Sequence, residues 1–183
     1  MIIELDEKAA SDFAGTIIDI ETIGDFNRLY QADSRRYSQL TQVILGYITR
    51  ERLHIYCAKD TAGIDELRSK TPGILEALPR PLHAFNCAFE RGVWFHHAGI
   101  EVLFDGELQE RPFEAKKDAV SWLGISNYDD PFYDIGFECM KAWRKGDFSK
   151  AIAHNRACLL KERDILLKRG CVAPGTLLCI SGD

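Results

Sequence analysis

Asp19 and Glu21 stand two residues apart in Thr16-Ile-Ile-Asp-Ile-Glu-Thr22, a segment rich in β-branched residues. Successive side chains of a strand point to opposite faces, so both carboxylates share a face, with Cα atoms about 7 Å apart. Two acids so placed can hold a divalent cation between them, and hard oxygen donors select Mg²⁺ or Mn²⁺. A solvated strand face accounts for the same spacing, so the pair needs support from elsewhere in the chain. Glu90 follows Asn86 at the opening of an amphipathic stretch. A helix dipole favours an acid there in any protein. His154 can orient or deprotonate water, or simply be satisfied by a backbone carbonyl. Glu162 lies one turn beyond Cys158 and could reach back towards it, though a solvent-exposed side chain is the expectation. Asp164, six residues beyond Cys158, is turned away by about 120°.

These residues must be positioned by a small set of elements. The acidic segment reads as a strand, and 41–49 and 52–58 read as two more, joined by a short polar turn as an antiparallel hairpin. Together they form a meander that begins with the acidic strand. Asp60 or Thr61 caps a helix running towards Leu78, which Pro72-Gly73 should interrupt or divide. A short buried strand is expected at 81–86, then a helix from Phe89 to His97 ended by Gly99. Further helices are expected at about 113–123, 134–145 and 148–169. The last carries an apolar stripe of Ile152, Leu159, Leu160, Leu166 and Leu167. Strands first, then alternation, then helices predicts an α/β fold: an antiparallel meander continued by parallel strands, with helices packed on the sheet. Phe89, Trp94 and Trp143 read chiefly as core, and His96-His97 as residues favoured at a helix C-terminus. The tail after Gly170 is not assigned to any element.

In this order the motifs resemble those of the DEDD, or DnaQ-like, 3′→5′ exonuclease superfamily, nearest the branch similar to B-family polymerase proofreading domains. Ile18-Asp19-Ile20-Glu21-Thr22 matches its first motif. Phe85-Asn86-Cys87-Ala88-Phe89-Glu90 matches the second, with Glu90 where aspartate is usual. Gly146-Asp147 followed by His154-Asn155-Arg156-Ala157-Cys158-Leu159 stands at the third, with histidine for tyrosine and Cys158 for the acid. The likeness spans about residues 14–168 of one domain, leaving 170–183 outside it. It implies a ribonuclease-H-like fold and two-metal phosphodiester hydrolysis at a 3′ end of single-stranded DNA or RNA. Asp19, Glu21 and Glu90 would then be metal and catalytic residues, His154 would be catalytic, and Thr22, Asn86, Phe89 and Asn155 would bind substrate. Cys158 is the main departure, since sulfur is a poor ligand for magnesium and the catalytic metal should be held less firmly. The alternative is a degenerate nuclease fold that binds nucleic acid or a protein partner without hydrolysis.

Composition sets the outer bounds. The chain has 183 residues, 46% of them hydrophobic and 28% charged, which suits one domain with a sizeable core. Its six cysteines form no C-x-x-C pair, and no histidines stand at zinc-finger spacing. Met-Ile-Ile-Glu-Leu-Asp-Glu is unlike a secretory leader, and no apolar run approaches the roughly 20 residues of a membrane span. A cytoplasmic protein with free thiols and no membrane partner is therefore expected. The net charge of −5 argues against nonspecific coating of duplex DNA. Residues 141–169, however, hold nine Lys or Arg against three Asp or Glu. That stretch is either a solvated helical face or a phosphate-tracking surface acting through Lys145, Lys150 and Lys161.

Overall fold

The protein, described here for residues 1–181 from a computed structural model, is built on one six-stranded mixed sheet. Its strands are β1 (Ile2–Lys8), β2 (Thr16–Gly24), β3 (Leu40–Thr49), β4 (Arg52–Ala58), β5 (Leu82–Ala84) and β6 (Gly106–Glu107), arranged β1-β4-β3-β2-β5-β6. β2, β3 and β4 form the expected antiparallel meander, while β5 runs parallel to β2, and β6 parallel to β5. The meander does not begin at the sheet edge. The opening residues add β1 antiparallel to β4, pairing Ile2 with Ala58 through to Lys8 with Arg52. Its burial alternates between intermediate and exposed, so it has the weak apolar pattern of a half-covered edge strand.

Five helices cover the two faces: α1 (Thr61–Ala77), α2 (Cys87–His97), α3 (Lys116–Trp122), α4 (Gly136–Arg144) and α5 (Phe148–Arg169). Ile18, Ile20 and Leu45 pack with Leu67 and Leu75 of α1 and Val93 and Trp94 of α2. On the other face Ile17, Ile44 and Ile48 pack with Ala119 of α3, Cys139 of α4, and Leu159 and Ile165 of α5. Each fully buried Ile or Leu contributes about 1.5–3 kcal/mol, so these two clusters hold the layers together. α5 starts where the Asp147 side chain accepts from Lys150 N at 3.3 Å, and it stops at Gly170, whose φ of 81° suits glycine.

Helix α1 runs unbroken through Pro72, contrary to the expected interruption. Its buried stripe Gly63, Leu67, Thr71, Leu75 recurs every four residues and docks on the sheet. Pro72 and Arg68 both face solvent, so water can take up the Arg68 carbonyl that the proline leaves without an amide partner. The unassigned tail is also placed. Val172 exchanges backbone hydrogen bonds with Glu107, Gly175 N donates to Glu107 Oε2 at 2.7 Å, and Ser34 N donates to the Leu178 carbonyl at 3.0 Å. These contacts draw the tail along one side of the molecule from β6 to the short 3₁₀ helix Ser34–Tyr37. No helix among the described residues is long and apolar enough to cross a membrane.

Candidate functional site

Asp19 and Glu21 leave β2 on one face and border a cleft of ≈ 930 Å³. Phe85 and Asn86, just beyond β5, border it as well, which places it at the carboxyl ends of two parallel strands. Asn86 caps α2 by accepting from Phe89 N at 3.3 Å, and one turn in, Glu90 faces the same cleft. Thr22 and Phe89 lie on its lining too. α5 supplies His154 and Cys158, and α3 supplies Lys116.

Asn155 does something other than meet substrate. It is fully buried, and its Nδ2 donates to Asp19 Oδ2 at 2.7 Å and to the Asp19 carbonyl at 3.2 Å. Gly46 of β3, the register partner of Asp19, allows this approach, because a Cβ there would sit 2.0 Å from Asn155 Oδ1. Helix α5 can therefore come down onto the sheet and fix the Asp19 carboxylate from behind.

Glu162 is not exposed. It is fully buried, with Oε1 2.5 Å from Lys116 Nζ, and the same ammonium is 2.8 Å from Asp19 Oδ1. The physical reason is that α5 buries both sides of this turn against β2 and α3, so a residue one turn past Cys158 is carried into the interior. Asp164, by contrast, points away and accepts from the Tyr128 hydroxyl. Lys116 was not singled out by its sequence context. The one available signal is that it shares a helix face with the buried Ala119 and Val120, three and four residues on.

His154 is held from behind. Its Nδ1 lies 2.7 Å from Asp130 Oδ1, while Nε2 faces Glu21 Oε1 at 3.5 Å and Cys158 Sγ at 3.7 Å. Asp130 in turn accepts from Lys161 Nζ at 2.7 Å and from the amides of Phe132 and Asp134. An ionised carboxylate can only accept, so Nδ1 carries the proton. The loop presenting Asp130 has Tyr128, Asp129, Tyr133 and Asp134 at positive φ, a conformation costly for side-chain-bearing residues and sustained by these bonds. Lys161, expected to contact phosphate, is instead fully buried between Asp130 and Asp134. Lys150 pairs with Asp147, and neither Lys145 nor Lys150 borders the cleft. The basic groups that do border it include Arg28, Arg36 and Arg111, with the Arg36 guanidinium over the Phe26 ring and Phe26 tilted against Phe89.

Carboxyl groups outnumber basic groups on and just beneath the floor. Four buried carboxylates, Asp19, Glu21, Glu90 and Glu162, face one lysine and one histidine. Burial pushes Glu21 up to about 7, with Asp19 adding to the rise and His154 and Lys116 opposing it. Burial also raises Glu90 and Glu162 well above the carboxylate range, and the neighbouring Asp19 charge reinforces both. Burial works against the Lys116 ammonium, yet Asp19, Cys158 and Glu162 outweigh it and keep it charged. The Cys158 thiol is pushed up to about 11 by burial, against the pull of Lys116 and His154. Glu90 Oε2 and Glu162 Oε2 have no hydrogen-bond partner among the described residues. Ligand atoms of Asp19, Glu21 and Cys158 lie within 4.8 Å of one another, as do those of Glu21, Cys139 and His154. Such a floor is suited to take up positive charge.

Comparisons with protein-family models, with curated proteins and with solved structures found no match to this chain.

Proposed function

We propose that this chain is a divalent-metal-dependent 3′→5′ exonuclease of the ribonuclease-H-like fold, acting on single-stranded nucleic acid ends. The observation that carries the reading is the gathering of Asp19, Glu21 and Glu90 from β2 and α2 on one cleft floor, with Glu162 of α5 buried just beneath and joined to Asp19 through Lys116. The orphaned oxygens of Glu90 and Glu162 fit the need for further cations there. Glu162 supplies the fourth acid that Cys158 lacks, one turn along the same helix. The strand order β4-β3-β2-β5-β6, with the acidic strand central, supports the fold assignment.

Mg²⁺ or Mn²⁺ held by these carboxylates would generate a nucleophile from water and neutralise charge developing on the phosphate. The protein's own groups do the rest. Asn155 fixes the Asp19 carboxylate in one orientation. His154, braced by Asp130, presents Nε2 to the cleft floor, where it can orient water by donating a hydrogen bond. Phe26, Phe89 and Arg36 offer stacking and cation-π surfaces, and Arg28 and Arg111 offer phosphate contacts, along a groove open to a single strand.

One observation favours a second reading, a fold that binds without hydrolysis. Lys116 lies between Asp19 and Glu162, where its ammonium can act as a built-in cation. Incubation with a 5′-labelled single-stranded oligonucleotide in Mn²⁺ separates the two. The exonuclease reading expects a ladder shortening from the 3′ end that Asp19→Asn removes. Retention of the oligonucleotide without shortening, in wild type and Asp19→Asn alike, would establish the binding-only reading.

A further inference from the structure

We infer that Glu21, His154 and Cys158 form a site for a softer divalent transition ion of the zinc class, with an open position towards the cleft. The inference rests on reading the cleft floor as a metal site, and it names the ion that the floor's deepest donors would take. His154 Nε2 stands 3.7 Å from Cys158 Sγ and 3.5 Å from Glu21 Oε1. Tetrahedral zinc with its ordinary bond lengths places a nitrogen and a sulfur ligand about 3.6 Å apart, and a nitrogen and an oxygen ligand about 3.3 Å apart. Two of the three edges that meet at His154 Nε2 therefore already have the lengths of a coordination tetrahedron, and the Glu21–Cys158 edge lies within 4.8 Å. Carboxylate oxygens of Asp19 and Glu21 come within 4.8 Å of Cys158 Sγ and of each other, so Asp19 borders the remaining position.

A second observation, independent of those distances, points the same way. Metal-binding histidines commonly donate their other ring N–H to a carboxylate, which fixes the tautomer and the ring plane. Asp130 takes that role at 2.7 Å from Nδ1, and it is itself held by Lys161 and two backbone amides. Nε2 is thereby directed at Cys158 and Glu21. A buried lysine, two carboxylates and a loop with four non-glycine residues at positive φ are an elaborate support for a histidine that only fills space. One imidazole, one thiolate and one carboxylate with an open fourth position match the donor count of a catalytic zinc site. The donors are spread over β2 and α5, which is why spacing along the chain gives no zinc signature. Binding requires Cys158 to release its thiol proton and Nε2 to be unprotonated, so uptake liberates protons and tightens as pH rises.

The test is titration of the full-length, metal-free protein with Co²⁺, followed by optical absorption. One equivalent is expected to produce a thiolate-to-cobalt charge-transfer band and the intense visible bands of a tetrahedral ion. Stoichiometric Zn²⁺ should bleach both, and excess Mg²⁺ should not. Cys158→Ser should lose the charge-transfer band while its metal-free melting temperature stays near wild type. Glu21→Gln keeps the thiol, and should retain the band with cobalt affinity reduced at least about tenfold, as befits loss of a ligand. No thiolate band, a band that survives in Cys158→Ser, or unchanged affinity in Glu21→Gln would overturn the inference. Nuclease activity separates this claim from the proposed function. Mn²⁺-dependent shortening of an oligonucleotide without the cobalt band sinks the soft site alone, whereas the band without shortening upholds the site and sinks the exonuclease reading.

Discussion

Lys116 Nζ touches Asp19 and Glu162 at once, and this single ammonium decides how the floor behaves without a metal. Its removal leaves buried carboxylates facing one another with only His154 as a counter-charge. Lys116→Met should therefore lower the metal-free melting temperature by several degrees, and Mn²⁺ should raise the midpoint further than it does in wild type, because the ion no longer competes with a tethered cation. Thermal melting with and without Mn²⁺ reads both effects, and an unchanged Mn²⁺ response would show that Lys116 does not occupy cation-binding space. The pH dependence has a definite sign. Glu21 titrates near 7 when folded against 4.5 ordinarily, mainly through burial, so the unfolded chain loses that proton first. Its contribution to stability is fully present below about 4.5 and is lost as pH climbs towards 7, an effect of roughly 3 kcal/mol at most. Glu90 and Glu162, raised by burial as well, add to the same trend. Urea midpoints of the metal-free protein should fall across that window, and Glu21→Gln should flatten the fall. Asp130 works oppositely. Despite its burial it is held far down, chiefly by His154 and Lys161, so its contribution is present at neutral pH and lost in strong acid.

At the scale of elements, the contact of α5 with β3 turns on one missing methyl group. Gly46→Ala puts a Cβ on Asn155 Oδ1, forcing the helix or the amide to shift and costing about 1–3 kcal/mol. Asp19 loses its brace in the process, so the Mn²⁺-induced rise in melting temperature should shrink together with stability. Asn155→Ala, which removes the obstruction and the brace together, should recover part of the stability when combined with Gly46→Ala, but not the metal response. The loop carrying Asp130 depends in the same way on Lys161. Lys161→Met leaves Asp130 and Asp134 without their buried partner, and urea denaturation should show a loss of about 3–5 kcal/mol. These contacts also show where the sequence is readable. The hairpin β3–β4, the acidic strand and the full length of α5 follow from alternation, apolar periodicity and capping. The edge strand β1 and the two-residue β6 carry too little apolar pattern to stand out, and Pro72 misleads because its helix turns that side to water. Within the site, Asp19, Glu21 and Glu90 are visible because motif order marks them. Lys116, Asp130 and the burial of Glu162 depend on which helix packs where, a tertiary outcome that local spacing does not encode.

For the whole molecule, a net charge of −5 and an acidic floor mean that, under the proposed function, a nucleic acid strand would be drawn in by the cleft's rim. Arg28, Arg36 and Arg111 occupy that rim, and the basic residues of α5 expected to do so lie buried or elsewhere. Binding of a fluorescent single-stranded oligonucleotide should be weak and should fall as salt rises. Arg28→Ala combined with Arg111→Ala should reduce the salt slope by about two, whereas Lys145→Ala combined with Lys150→Ala should leave it unchanged. The central claim, that the gathered carboxylates hold divalent cations, is tested most directly by crystals of the protein soaked in Mn²⁺ and measured at the manganese absorption edge. The account predicts an anomalous peak between Asp19 and Glu21, with Lys116 Nζ displaced from Asp19 and the Glu90 or Glu162 carboxylate turned towards the ion. An ammonium still seated between Asp19 and Glu162, with no anomalous peak on the cleft floor, would contradict it.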